Sequence, residues 1–267
     1  MDYIYAKTHL FDAQYYVEQK VRALHNYLQR NGRKTLIVGV SGGVDSAVTL
    51  ALLAELKLVH PEYTIKAVIA PIDGSVGTTE QDEAFVLALS VCQQFNVPVT
   101  YLPLKEMSAT ASTTLKLNND PYLQQQVDYW LRPTAFYSLA MQSEDAILVS
   151  TINYDEWILG WFSQYLDVLG VHPIVDINKQ QVYQLARYLC VPPAVIETPP
   201  KGGLADGATD EEALGFGYTD LWMYYNDYDN LDKELAEQIL QRMVASDFKR
   251  QRFNPSFIFS TTVLPKG

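Results

Sequence analysis

The sequence predicts an α/β fold in which a parallel sheet carries helices on both faces. Strand-like and helix-like segments alternate along the first 150 residues, the pattern of parallel strands joined by crossover helices. The first strand-like run, Lys34 to Val40, is apolar throughout from Leu36 and does not alternate, as in a strand covered on both faces. A turn of small residues, Ser41-Gly42-Gly43-Val44-Asp45-Ser46, follows that strand and leads into a helix. It therefore lies at the carboxyl edge of the sheet, where such folds bind ligands.

The elements follow in order. Asp12 to Gln29 carries Tyr16, Val17, Val21, Leu24, Tyr27 and Leu28 at helical spacing, and Asn31-Gly32 is a C-cap signal. After the Lys34–Val40 strand, a helix is expected from Ser46 to Leu58, with Pro61 beyond it. Thr64 to Ala70 reads as the second strand and Pro71 to Gly77 as a loop. Thr79, followed by Glu80, Asp82 and Glu83, reads as the N-cap and acidic first turn of a helix reaching about Phe95. Val97 to Leu102 is the third strand. Residues 105–144 read as two or more helices broken at Asn118-Asn119-Asp120-Pro121, and Ala146 to Ser150 is the fourth strand. Residues 155–164 are expected to be helical, 165–177 irregular and 178–189 helical. The glycine-rich, acidic stretch 197–217 reads as a mobile loop, and helices over 219–228 and 232–246 precede a tail. No internal repeat or linker divides the chain, so one domain is expected over residues 1–267.

Composition narrows the function. The 267 residues are 48% hydrophobic, enough for a sizeable core. A net charge of −11 opposes binding to nucleic acid, which needs a basic surface. No apolar stretch is long enough to span a membrane, and Met1-Asp2-Tyr3-Ile4-Tyr5 does not open a secretion signal. A cytoplasmic protein is expected. Cys92 and Cys190 read as buried thiols, and without a Cys-x-x-Cys pair no zinc knuckle is expected. His9, His25, His60 and His172 are scattered singly, so no histidine metal site is expected either.

The glycine loop reads as a pyrophosphate cradle. Glycines let backbone approach an oxyanion, and the helix that follows presents unpaired N–H groups. Gly39, Val40, Ser41, Gly42, Gly43, Val44, Asp45 and Ser46 are the candidate nucleotide-binding residues, with Asp45 able to hold a metal on the phosphates. No Gly-Lys-Ser/Thr follows, so this is not a Walker loop. Its order resembles the PP-loop of the ATP pyrophosphatase superfamily. That resemblance implies cleavage of ATP between its α and β phosphates and adenylation of a substrate.

A second constellation follows the fourth strand: Ser150-Thr151-Ile152-Asn153-Tyr154-Asp155-Glu156. Thr151 can cap the next helix or touch a nucleotide. Glu156 can supply a second carboxylate for a Mg²⁺ ion shared with Asp45.

Further segments carry a resemblance to a family. Gly160-Trp161-Phe162-Ser163-Gln164-Tyr165-Leu166-Asp167, Ile177-Asn178-Lys179-Gln180-Gln181-Val182, Pro199-Pro200-Lys201 and Thr209-Asp210-Glu211 follow in order, and Phe248-Lys249-Arg250 lies near the end. Upstream stand Glu80-Gln81-Asp82 and Arg132 with Tyr137-Ser138-Leu139-Ala140. Order and spacing resemble those of the ammonia-dependent NAD synthetases from about residue 15 to 258.

The resemblance implies an adenine nucleotide alpha hydrolase-like fold, Rossmann-like and three-layered. It implies amidation of nicotinic acid adenine dinucleotide through an acyl-adenylate, with ATP and Mg²⁺ as cofactors and free ammonia as nitrogen donor. Asp45, Glu156 and Lys179 are then the catalytic candidates, and Asp45 and Glu156 the metal ligands. Thr151, Lys179 and Lys201 join the loop in binding ATP. Arg132, Tyr137, Gln164 and Lys249 are the acceptor-binding candidates. Residues 199–212 would close over the acyl-adenylate. A homodimer is implied, with the aromatic-rich helices 122–143 and 155–166 as interface candidates.

The departures cluster at acceptor positions. Gln164 stands where the family has lysine, Lys201-Gly202-Gly203 where it has Thr-Ala-Asp, and Phe248 where it has histidine. Another carboxylic acid as acceptor is the alternative expectation, and a catalytically inactive nucleotide-binding homologue is a third.

Overall fold

The computed structural model describes residues 11–72, 78–162, 170–200 and 209–250, with side chains left aside at 78–82. Of the sequence expectations, Gln164, Lys201, most of the 71–77 loop, the middle of the 197–217 segment and the tail beyond Arg250 lie outside the described residues.

The first element of the described residues is α1 (Ala13–Arg30), whose N-cap Asp12 accepts the Tyr15 N–H. Then follow β1 (Thr35–Gly39), α2 (Val44–Val59), β2 (Thr64–Ile69), α3 (Thr78–Gln94) and β3 (Val99–Tyr101). Next come α4 (Lys105–Leu115), α5 (Pro121–Ala140), β4 (Ala146–Val149), α6 (Tyr154–Leu159) and α7 (Lys179–Tyr188). The last helices are α8 (Pro193–Glu197), α9 (Asp210–Leu214), α10 (Tyr218–Asn226) and α11 (Lys233–Ala245).

Among the described residues the sheet has four strands, all parallel, in the order β3-β2-β1-β4, with Thr35 beside Thr64 on one side and Ala146 on the other. An isolated parallel bridge from Val149 to Val171 continues the pairing where an irregular segment was expected. Both faces of β1 are covered, which is why its sequence is continuously apolar. Leu36 and Val38 join Ile65, Ala67 and Ile69 in a core with α1, α2, α3 and α7. Ile37 and Val68 face the other way, against Ala140, Phe136 and Leu139 of α5. The predicted helix–sheet–helix layering is therefore present.

Helix α2 is buried along nearly its whole length, through Ala47, Val48, Leu50, Ala51, Leu52, Leu53 and Leu56. Each such large side chain contributes about 1.5–3 kcal/mol of burial free energy, so the phosphate-type loop is mounted on a rigid post. A smaller core of Leu159, Phe216, Leu221, Ile239 and Met243 ties α6, α10 and α11 together.

Several local expectations change. Helix α2 starts at Val44, two residues before the expected Ser46, which puts Asp45 in its first turn. Asn153, not Thr151, caps α6, and α6 stops at Gly160 (φ +62), short of the expected residue 164. A five-residue helix, α9, lies inside the segment read as loop, because Thr209 and Glu212 form a reciprocal capping box. Cys92 is buried as expected, but Cys190 is exposed at a left-handed position (φ +57) after α7. His25 and His60 do not stand singly: their rings stack.

Candidate active site

The loop after β1 is locked by its own hydroxyls. The Ser41 N–H donates to Ser46 Oγ at 3.2 Å, Ser46 Oγ donates to the Gly43 carbonyl at 2.9 Å, and the Gly43 N–H donates to Ser41 Oγ at 3.3 Å. Gly42 adopts φ +90, and a Cβ there would collide with the Ala84 carbonyl of α3. Gly43 occupies the N-cap of α2 with no side-chain cap, so the first-turn N–H groups are left for an anion.

Two distant segments meet beside this loop. From α6, Asn153 Nδ2 donates to Asp45 Oδ1 at 2.8 Å, while Asn153 Oδ1 accepts the Glu156 N–H at 3.0 Å. Glu156 Oε2 in turn accepts the Asn153 N–H at 3.2 Å. From α7, Lys179 Nζ donates to Asp45 Oδ2 at 2.5 Å and lies 3.6 Å from Glu156 Oε1. The Lys179 backbone N–H donates to Asp155 Oδ2 at 2.8 Å, so one carboxylate fixes the start of α7 while two others hold its ammonium.

A fourth acid closes the cluster. Asp210 is buried and accepts from Trp161 Nε1 and the Tyr218 hydroxyl, each at 3.1 Å. The Tyr218 ring lies 5.1 Å from Lys179 Nζ, a cation–π distance. Asp155, Asp210 and Tyr218 were not among the predicted site residues, although Asp210 lies in a segment that resembles the family.

The electrostatics follow from burial. Lys179 is only 2% exposed, and desolvation alone would favour its neutral form; Asp45 and Glu156 outweigh that and hold it charged. Burial raises the Asp155 carboxyl to about 7. Burial, then the neighbouring Asp45 charge, pushes Glu156 well above the carboxylate range. Asp45 and Glu156 face the ammonium and Asp155 and Asp210 lie close behind, so the acids outnumber the one lysine they surround, an excess that a further cation relieves. Oxygen-only donors converging on one cationic position suit Mg²⁺.

A cleft of about 240 Å³ opens beside the loop. Its lining includes Gly39, Val40 and Ser41, then Arg132, Pro133 and Phe136 of α5, and Leu148 to Ile152 with Thr151 among them. Gly39 is needed because a Cβ would approach the Phe136 ring to 2.7 Å. Arg132 is held over the cleft by donating from Nε to the Ala70 carbonyl at 3.2 Å.

Of the other acceptor candidates, Gln164 lies outside the described residues, and Tyr137 and Lys249 sit apart from this centre. Tyr137 is exposed on α5 and does not line the cleft. Lys249 Nζ donates to the carbonyls of Gly160 (2.9 Å) and Phe162 (3.0 Å) beyond the end of α6.

Comparison with known proteins identifies relatives of the whole chain. An NH(3)-dependent NAD(+) synthetase of Wolinella succinogenes is 30% identical over 255 residues, covering 88% of this chain and 92% of the relative. An NMN synthetase from Francisella tularensis superposes with a TM-score of 0.80 at 25% identity, covering 93% of this chain and 100% of that one. An NH3-dependent NAD synthetase from Campylobacter jejuni superposes at 0.70 with 20% identity over 91% and 97% of the two chains, a likeness of fold. A family model described as NAD synthase matches residues 16–253, and the chain belongs to that family.

Proposed function

We propose that the chain amidates nicotinic acid adenine dinucleotide to NAD at the expense of ATP. The acid's carboxylate oxygen bonds to the α-phosphorus and pyrophosphate leaves. Ammonia nitrogen then bonds to the acyl carbon, the bond to AMP breaks and a proton is released. The convergence of Asp45, Glu156 and Lys179 beside an uncapped helix N-terminus carries this reading.

In this mechanism the loop from Gly39 to Ser46 takes the pyrophosphate through its backbone N–H groups and serine hydroxyls. Asp45 and Glu156 would hold Mg²⁺, which when bound offsets the mutual repulsion of triphosphate and carboxylate. Lys179 gives up part of its pairing with the carboxylates and meets phosphate oxygens as a point charge. Thr151 contacts the adenosine side of the cleft. Arg132, Tyr137, Gln164 and Lys249 are assigned to the acceptor, and Lys201 to ATP. Residues 199–212 exclude water from the acyl-adenylate. A cytoplasmic homodimer is part of the proposal, and no described helix is long and apolar enough to cross a membrane. The test is an assay with ATP, Mg²⁺, ammonia and the dinucleotide acid. NAD and AMP are expected in equal amounts, and AMP release without NAD would overturn the reading.

A second reading names a smaller acceptor, nicotinic acid mononucleotide. The likeness to an NMN synthetase favours it, because such an enzyme makes the amide of that acid. The changed acceptor positions also favour it: Gln164 and Phe248 replace two cationic-type family residues that a second phosphate would use. Arg250 gives no replacement, since its guanidinium donates to the Ile158 and Met243 carbonyls. Comparing kcat/KM on the mononucleotide and dinucleotide acids separates the two readings.

A further inference from the structure

We propose that His25, His60 and Glu62 form a second metal site, for a zinc ion, at the sheet edge opposite the phosphate loop. His25 comes from α1, His60 is the C-cap of α2, and Glu62 lies in the turn leading to β2. All three arrive at the amino edge of the sheet, whereas Asp45 lies beyond its carboxyl edge.

Both imidazoles face one oxygen. Their rings stack with centroids 3.7 Å apart and 6° between planes, and each Nδ1 lies 3.9 Å from Glu62 Oε1. That distance is too long for a hydrogen bond, and none joins either ring to Glu62. Ligand atoms of the three residues lie within 4.8 Å of one another. Two imidazoles and a carboxylate are a zinc donor set, with water as the fourth ligand. Bonds of about 2.0–2.1 Å in a tetrahedron place ligand atoms about 3.3 Å apart, so each Nδ1 must close on Glu62 Oε1 by about 0.6 Å from its 3.9 Å. The stacked rings must also splay for both lone pairs to reach one ion. Glu62 is half exposed and outside any helix, so it can follow.

The Tyr63 hydroxyl sets the site's orientation. It lies 3.0 Å from His25 Nδ1 and also donates to the His25 carbonyl, and its ring stands edge-on to both imidazoles. Zinc would displace the phenol from Nδ1 and clamp α1, the end of α2 and the start of β2. Binding to the folded state alone then raises the melting temperature.

The experiment is zinc titration of the full chain in excess Mg²⁺, by equilibrium dialysis, in a Glu156→Gln background so that the catalytic carboxylates do not compete. One equivalent of zinc bound at micromolar concentration is expected. His60→Gln and Glu62→Gln should each weaken it at least about tenfold, since even outer partners of metal ligands are worth about 10–100-fold. In the Glu156→Gln background zinc should raise the melting temperature, and adding His60→Gln should abolish that rise; His60→Gln alone should leave the amidation rate unchanged. No zinc bound at that concentration, or binding indifferent to both substitutions, would overturn the site. Glu62→Gln, a change in an exposed turn, keeps the test open if His60→Gln folds poorly.

Discussion

Asn153 Nδ2 holds Asp45 Oδ1 at 2.8 Å while the same side chain caps the helix that carries Glu156. One amide therefore sets the spacing between the loop carboxylate and the second carboxylate. Its other contact, from its backbone N–H to Glu156 Oε2, orients that second acid as well. Both contacts of Asn153 reach the two acids, through which it acts.

Replacing Asn153 separates its two duties. Asn153→Ser keeps an N-cap oxygen but cannot reach Asp45, whereas Asn153→Ala loses both. The alanine variant should lose about 1–2 kcal/mol of stability from the missing cap and the serine variant distinctly less. Both should lose activity by about 10–100-fold, since a small misplacement of catalytic groups has that cost. Urea unfolding and steady-state rates on the two proteins check this. Full activity in Asn153→Ser would show that the Asp45 contact positions nothing.

Lys179 is where structure and chemistry compete most directly. Its ammonium is buried among acids. Lys179→Met removes the one cation and leaves the acids facing one another, so they take up protons rather than stay charged. Breaking a buried pair costs about 3–5 kcal/mol, partly relieved by that protonation. The rate should fall by about 10²–10³-fold, as for loss of one transition-state donor. Lys179→Arg should fold better than Lys179→Met yet remain slow, because the planar fork does not fit a point-charge position.

Much of this was legible in the sequence. The strands could be read because burial on both faces leaves β1 no polar alternation. The break at Asn118-Asn119 could be read because both adopt left-handed φ (+55 and +59), and Asp120 then caps α5 with Pro121 at its first turn. Loop context and family spacing point to Asp45, Glu156 and Lys179, and the fold brings the three together. Asp155 and Asp210 were missed because an acid near a helix start normally reads as a solvated cap. Only the tertiary contacts with Lys179, Trp161 and Tyr218 reveal them as buried. His25 and His60 were missed for the same reason: each is unremarkable in sequence, and only α1 packing on α2 makes them neighbours.

Asp145 supplies a pH dependence away from the site. Ser143 Oγ donates to its Oδ1 at 2.6 Å, and that bond, with a second from the Thr35 side chain, holds the carboxyl below its usual value. A depressed folded-state value means stability that is present above the unfolded value, about 3.9, and is lost as pH falls through the folded one. Asp145→Asn should therefore be less stable than the native chain at neutral pH, by about 0.5–1 kcal/mol given its partial exposure. The gap should narrow once pH drops below about 4. Urea midpoints across that range check it, and a gap that widens on acidification would contradict the assignment.

Gly42 joins backbone strain to nucleotide binding. At φ +90 it bends the loop toward α3, and a side chain would meet the Ala84 carbonyl, which as backbone cannot swing aside. Gly42→Ala therefore carries both a disfavoured dihedral, about 1–3 kcal/mol, and a steric displacement. Two relaxations are open to it. If α3 shifts, its packing on α2 through Val91 and Cys92 is disturbed and the melting temperature falls. If the loop shifts, the N–H groups at the start of α2 lose their common target, and ATP binding weakens by about 10-fold or more for each lost charge-assisted bond. Calorimetry with and without ATP distinguishes them. Moving α3 would disturb the buried Val91 and Cys92 contacts, whereas moving the loop breaks only its 3.2–3.3 Å hydroxyl bonds, so the larger effect should fall on the affinity for ATP.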